Sequence, residues 1–231
     1  MRMWSDGDVV AAVRAAFAPL ADAERATAMH AYMKGVAPFL GIPAPDRRRA
    51  QNEVWRHLPR PTSTQLCRAA AGLRALPERE FHYAAGELTG RWVRVLEPDR
   101  LGTDVRGALL TLPWWDTVDL LGSSVVTPMV REHPQLRASM WEWNGTDDQW
   151  LIRASIQHQR GLGSDTDVPL LLALCRPHVT DKRFFVAKGI GWALRDACRF
   201  DLAAVRGFVA EHPDLSAVAR REAAKGIARA G

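Results

Sequence analysis

Four stretches decide the fold: PEREFHYAA (77–85), LPWWDTVDLLG (112–122), DDQWLIRASI (147–156) and DKRFFVAKGIGW (181–192). Each carries an aromatic residue near the start of a helical apolar run: Phe81, Trp115, Trp150 and Phe185. The intervals are 34, 35 and 35 residues. A fifth stretch, LSAVARREAAKGI (215–227), follows at a similar interval without the aromatic. RASI (153–156), AKGI (187–190) and AKGI (224–227) also align. A fixed period in this range marks stacked helical hairpins. Each hairpin covers its apolar face with its neighbours, and the stack curves around a concave surface. The expectation is an all-α fold, a curved solenoid of helical repeats forming one domain over residues 1–231.

Local signals outside these stretches agree. Ser5-Asp6-Gly7-Asp8 has capping-box spacing ahead of Val9, Val13 and Phe17, and Thr62-Ser63-Thr64-Gln65 has it ahead of Leu66 and Leu73. Pro45-Asp46 opens a basic helix holding Arg47, Arg48 and Arg49. Pro134, Pro177 and Pro213 fall where helices should start or stop. No segment sustains period-two alternation with β-branched residues, so strands have no home.

Composition excludes several classes. The 231 residues are 47% hydrophobic and 25% charged, which is ordinary for a globular protein. No run reaches about 18 uncharged apolar residues, so no membrane span is expected. MRMWSDGDVV (1–10) lacks the apolar stretch of a secretory signal. Cys67, Cys175 and Cys198 are far apart and form no CxxC, which disfavours disulfides and zinc and points to the cytoplasm. The seven His are isolated, and HExxH, P-loop and GxGxxG motifs are missing, so no metal or other cofactor is expected.

Charge carries more. The net charge is +5, and only Lys34, Lys182, Lys188 and Lys225 of the 31 basic residues are lysines. Arginine suits bidentate phosphate contact, although a GC-rich genome produces the same bias. Arg153 and Lys188 each lie three residues after a repeat aromatic, and Lys225 falls nearby in its own unit. On a concave surface they would form either a phosphate track or a solvated polar face.

Trp115 and Asp119 are four apart and share a helix face. An acid in a basic groove repels phosphate, so its place there points to work on developing positive charge; the plainer reading is an ion pair with a nearby Arg. Asp116 sits in the first turn, where it would serve the helix dipole. Trp192 stands in GIGWALRD beside Arg195. Trp55, Trp114, Trp141 and Trp143 read as core.

With these residues in view, HAYMKGVAPFLGIPAPDRRR (30–49), LPEREFHYAA (76–85), PWWDTVDLLG (113–122), WLIRASI (150–156), FFVAKGIGWALRD (184–196) and ARREAAKGI (219–227) resemble the DNA alkylation repair family. These are the AlkD-like DNA glycosylases of HEAT-like repeats, whose fold is a right-handed solenoid with a concave cationic groove. The resemblance runs from about Val9 to Ala228, and the WWDxVD and KxIGWxLR strings are its specific parts. It implies a monofunctional glycosylase releasing cationic N3- and N7-alkylpurines from double-stranded DNA in base excision repair. It assigns catalysis to Asp119, with Trp115 and Trp192 as the groove indoles. It assigns DNA contact to Arg153, Tyr32 and Lys34, and the cations Lys188, Arg195, Arg221 and Lys225 join them in the groove. No cofactor is implied, a monomer is expected, and the protein would be cytoplasmic and nucleoid-associated when bound to DNA. The departures are a shorter C-terminus and glycines at Gly161 and Gly163. A non-catalytic HEAT-like DNA-binding or scaffold protein is the alternative; a degenerate member would lose one of Trp115, Asp119, Arg153 or Trp192, and all four are present.

Overall fold

In the computed structural model, which describes residues 5–231, every regular element is a helix. Part of the signal-peptide reading falls on residues 1–4, outside the described residues. The chain forms two units, Met1–Val125 and Val126–Gly231.

The first unit holds α1 (Asp6–Phe17), α2 (Ala23–Tyr32), α3 (Ala44–Arg56), α4 (Ser63–Arg74), α5 (Arg79–Arg91), α6 (Asp104–Leu110) and α7 (Trp115–Leu121). The second holds α8 (Thr127–Glu132), α9 (Arg137–Asn144), α10 (Gln149–Gln157), α11 (Val168–Cys175), α12 (Phe184–Ala197), α13 (Leu202–Glu211) and α14 (Ala217–Ala230). A π-helical turn, Gly122–Val126, follows α7. Helices α3, α5, α7, α10, α12 and α14 begin at residues 44, 79, 115, 149, 184 and 217, so the repeat expected from the aromatics exists as a repeat of helices. No helix among the described residues is long and apolar enough to cross a membrane.

The caps work as the sequence proposes. Thr62 and Gln65 make the reciprocal capping box of α4. The Ser5 hydroxyl accepts from the Asp8 amide. Pro45 lies within the first two positions of α3, where its missing N–H costs nothing.

The repeat aromatics fix one hairpin on the next. Phe81 stacks on Phe17 at 5.5 Å in the first unit, and Phe185 lies 4.8 Å from Trp150 in the second. The aligned AKGI glycines mark helix crossings. A Cβ at Gly189 would stand 3.5 Å from the Arg153 Cγ of α10, and one at Gly226 would stand 2.8 Å from the Arg195 Cα; Gly191, outside the motif, adds a 2.7 Å approach to the Glu222 Cβ, so α12 and α14 meet nearly backbone to backbone. The core of this unit is apolar and continuous, with Ile152, Ile156, Leu174, Ile190, Leu194 and Phe208 at its centre.

One core expectation is corrected. Trp143 and Trp55 are buried, but Trp141 is 45% exposed. Residues two apart on a helix are about 200° apart around its axis, so α9 can turn only one of this pair inward. Trp114, also read as core, is half-buried at the N-cap of α7.

Candidate functional site

In the first unit, Trp115 and Asp119 lie on α7. Its entry is unusual: Leu112 has φ +42°, in the left-handed region that a branched residue seldom occupies. Its carbonyl accepts from Arg79 Nη1 at 2.6 Å. Arg79 is 1% exposed and reaches from α5 into the first turn of α7. Its Nη2 and Nε donate to the two oxygens of Asp116 at 2.6 and 3.1 Å, and Nη2 also donates to Thr117 Oγ1 at 2.9 Å. Tyr83 Oη donates to Asp116 at 2.5 Å, and burial together with that carboxylate pushes the Tyr83 hydroxyl well above the usual phenol range. Asp116 does lie in the first turn of α7, where it also accepts from the Thr117 amide. Its larger role, invisible in the sequence, is to tie α7 to α5.

Asp119 and Trp115 lie one turn apart on this anchored helix, and both are half-buried. Tyr32 and Lys34 stand at the far end of α2. Tyr32 is 74% exposed, and Lys34, also exposed, has φ +59° in the turn that closes the helix. A left-handed non-glycine residue costs about 1–2 kcal/mol, so the turn carries this residue at a backbone cost.

In the second unit, Trp192 on α12 is ringed by cations. The guanidinium carbons of Arg153, Arg160 and Arg195 lie 5.2, 5.1 and 5.7 Å from its ring, and Lys188 Nζ lies at 5.9 Å. Each contact contributes about 0.5–2 kcal/mol, depending on desolvation. Arg160 did not emerge from sequence reading, because it falls in the turn after α10 and outside the repeat register.

The expected surface stripe is corrected in two ways. Arg153 is only 1% exposed and donates from Nη1 to the Phe185 carbonyl at 2.7 Å, so it fills the α10–α12 crossing rather than standing on a surface. Lys188, Arg195 and Lys225 converge on one buried carboxylate that sequence reading passed over. Glu222 is 4% exposed and accepts from them at 2.8, 2.7 and 3.0 Å. Hydrogen bonds from Lys188 and Lys225, opposed by burial, hold its carboxyl down to about 2. A signal existed: Glu222 falls 34 residues after Lys188, one repeat away. Arg221 is exposed on the same helix.

This carboxylate makes the fold acid-sensitive. Its folded-state value lies below the ordinary 4.5, so its stabilisation is complete above that pH and disappears as pH falls toward 2. The contribution is up to about 3 kcal/mol, reduced by screening of its partly exposed partners. Burial also pushes the His158 imidazole down to about 4, so a separate loss begins near its ordinary 6.5. Glu222→Gln is expected to melt lower at pH 7 and to lose part of the dependence between about pH 4.5 and 2 while keeping the His158 limb, the rest belonging to Glu87 and Asp181, whose carboxyls are also held down, against burial, by ion pairs. Thermal melts across this range check it, and a low-pH limb as steep in the variant as in the wild type would refute the assignment.

Comparison with known proteins gives a consistent result. A family model described as DNA alkylation repair enzyme matches residues 13–227. A solved structure described as a predicted DNA alkylation repair enzyme from Enterococcus faecalis is 27% identical, with a TM-score of 0.81, covering 89% of this chain and 95% of that one. No curated protein sequence matches.

Proposed function

The chain belongs to the DNA alkylation repair enzyme family, and on that premise we propose that it is a monofunctional DNA glycosylase releasing N3- and N7-alkylpurines from double-stranded DNA. The observation that carries this reading is the placement of Asp119 one turn from the half-buried indole of Trp115 on α7, a helix that Arg79 anchors through Asp116.

The chemistry follows from the lesion. An N3- or N7-alkylated purine already bears positive charge, so its departure needs no strong acid. The species to be stabilised is the sugar, which becomes oxocarbenium-like as the glycosidic bond breaks. Asp119 offers a carboxylate to that charge and an acceptor that orients the attacking water. The face of Trp115 favours a cationic base over a neutral one. Arg221 serves the phosphates, Lys188, Arg195 and Lys225 add the net positive charge that remains once Glu222 is neutralised, and Tyr32 and Lys34 are further contacts. Arg153 supports Trp192 from within the unit. No lysine nucleophile is invoked, so strand cleavage should not accompany base release.

Base release from a duplex carrying N7-methylguanine, with N3-methyladenine as the second substrate, tests the reading. Duplex binding without release of either base would favour a non-catalytic DNA-binding role. Arg221 tests the phosphate part. Being exposed, Arg221→Ala should leave the melting temperature unchanged and lower the slope of log affinity against log salt by about one. An unchanged slope places Arg221 off the DNA.

A further inference from the structure

Glu80, in the first turn of α5, is fully buried, and its carboxylate is engaged by backbone. Its Oε2 accepts from the Leu40 amide at 2.9 Å, and its Oε1 accepts from the Gly41 and Ile42 amides at 2.9 and 3.1 Å. Successive amides of a non-helical segment converge on one carboxylate, which is how a backbone concavity binds an anion. Among the described residues, every hydrogen bond to this carboxylate comes from that segment.

The segment is tied elsewhere as well. The Arg79 amide donates to the Pro38 carbonyl, and the Asp22 amide donates to the Leu40 carbonyl, each at 2.8 Å. Arg25 Nε donates to the Gly41 carbonyl at 3.0 Å. Gly41 has φ +82°, and a Cβ there would stand 2.1 Å from the Asp22 carbonyl oxygen, so the segment passes against α2 with no room for a side chain.

This segment leads directly out of the turn that carries Tyr32 and Lys34. The Gly35 amide donates to the His30 carbonyl at 3.0 Å, and His30 Nδ1 meets the Ala37 carbonyl at 2.8 Å. Met33, Ala37 and Phe39 are buried, while Tyr32 and Lys34 are exposed. Arg79, the neighbour of Glu80, grips the first turn of α7 through Asp116. Adjacent side chains at the start of α5 therefore hold two elements, one bearing Tyr32 and Lys34 and the other bearing Trp115 and Asp119.

We propose that Glu80 is a positioning residue for DNA binding: by holding the amides of residues 40–42, it sets where Tyr32 and Lys34 stand relative to α7. The inference rests on the proposed function in taking Lys34 as a DNA contact.

Glu80→Gln separates position from charge. Glutamine keeps one acceptor and turns an NH2 group toward a backbone donor, so the segment loses part of its hold. Removing an anion from a cationic protein would, by charge alone, tighten DNA binding. Release of the Lys34 turn predicts the opposite. Duplex binding should weaken about eightfold at about 0.1 M salt, and the slope of log affinity against log salt should become shallower by about 0.9, the worth of one phosphate contact. Lys34→Ala should produce the same change, and the double variant should bind no worse than either single one. Affinities are measured on duplex DNA well below the melting temperature of each variant. Glu80→Asp keeps the charge but falls one methylene short of the amides, and it takes the place of the glutamine variant if that one melts early. Binding that is unchanged or tighter in the Glu80 variant, a Lys34→Ala effect that adds in full to it, or no effect of Lys34→Ala overturns the inference. A lower melting temperature with an unchanged salt slope also overturns it, leaving Glu80 a role in stability alone. Base release is scored separately: coupled binding effects without release refute only the glycosylase reading, and release without the coupling refutes only the positioning role.

Discussion

Asp119→Asn is expected to lower base release from alkylated duplex DNA about 10²- to 10³-fold, the loss seen when one preorganised electrostatic group is removed from a transition state. The substitution keeps size and shape on a half-buried helix position, so the melting temperature should hardly move. Duplex binding should stay equal or tighten, because the variant removes negative charge from a protein of net charge +5. That combination is specific: a misfolded variant would lose binding and stability together. Single-turnover release, duplex affinity and a melt on the same preparations check it. A variant releasing base at the wild-type rate would remove the carboxylate from the mechanism.

Arg79→Met has the largest expected effect on stability. It deletes every bond that Arg79 makes to Asp116, Thr117 and the Leu112 carbonyl, and leaves the Asp116 carboxylate buried without its cation. Removing one partner of a buried ion pair costs about 3–5 kcal/mol, or roughly 10 °C in melting temperature for a chain of this size. The damage should reach function, because the same bonds fix the first turn of the helix that carries Trp115 and Asp119. Arg79→Lys keeps the charge and loses the fork that grips both oxygens, so it should fall between wild type and methionine in stability. A methionine variant melting within a degree of wild type would show that α7 is held by other contacts.

Much of the architecture was legible before any coordinates. The capping box at Thr62–Gln65, the apolar runs and the spacing of Phe81, Trp115, Trp150 and Phe185 are short-range or periodic signals, and they emerge as helices in register. The i,i+4 relation of Trp115 and Asp119 follows from helix geometry alone, once that segment is helical.

What the repeat pattern could not reveal is which charges neutralise one another. Arg79 meets Asp116 across 37 residues, Lys188 meets Glu222 across 34, and Arg195 meets Glu222 across 27. These pairs join side chains of different helices, and the choice among many acids and arginines depends on crossing angle and burial. That is why the stripe of cations becomes three cations gathered on Glu222, and why Arg153 lies buried against Phe185 and Trp192. The same limit applies to Trp141: residue type makes Trp141 and Trp143 equal candidates for the core, and only the packing of α9 decides that Trp143 turns inward. Sequence alone determined the helices, their period and the pairing of an indole with an acid, because those depend on neighbours within one turn or one repeat. Tertiary structure decided which ionised groups are anchored, buried or exposed, because charge compensation acts through space between helices brought together only by folding.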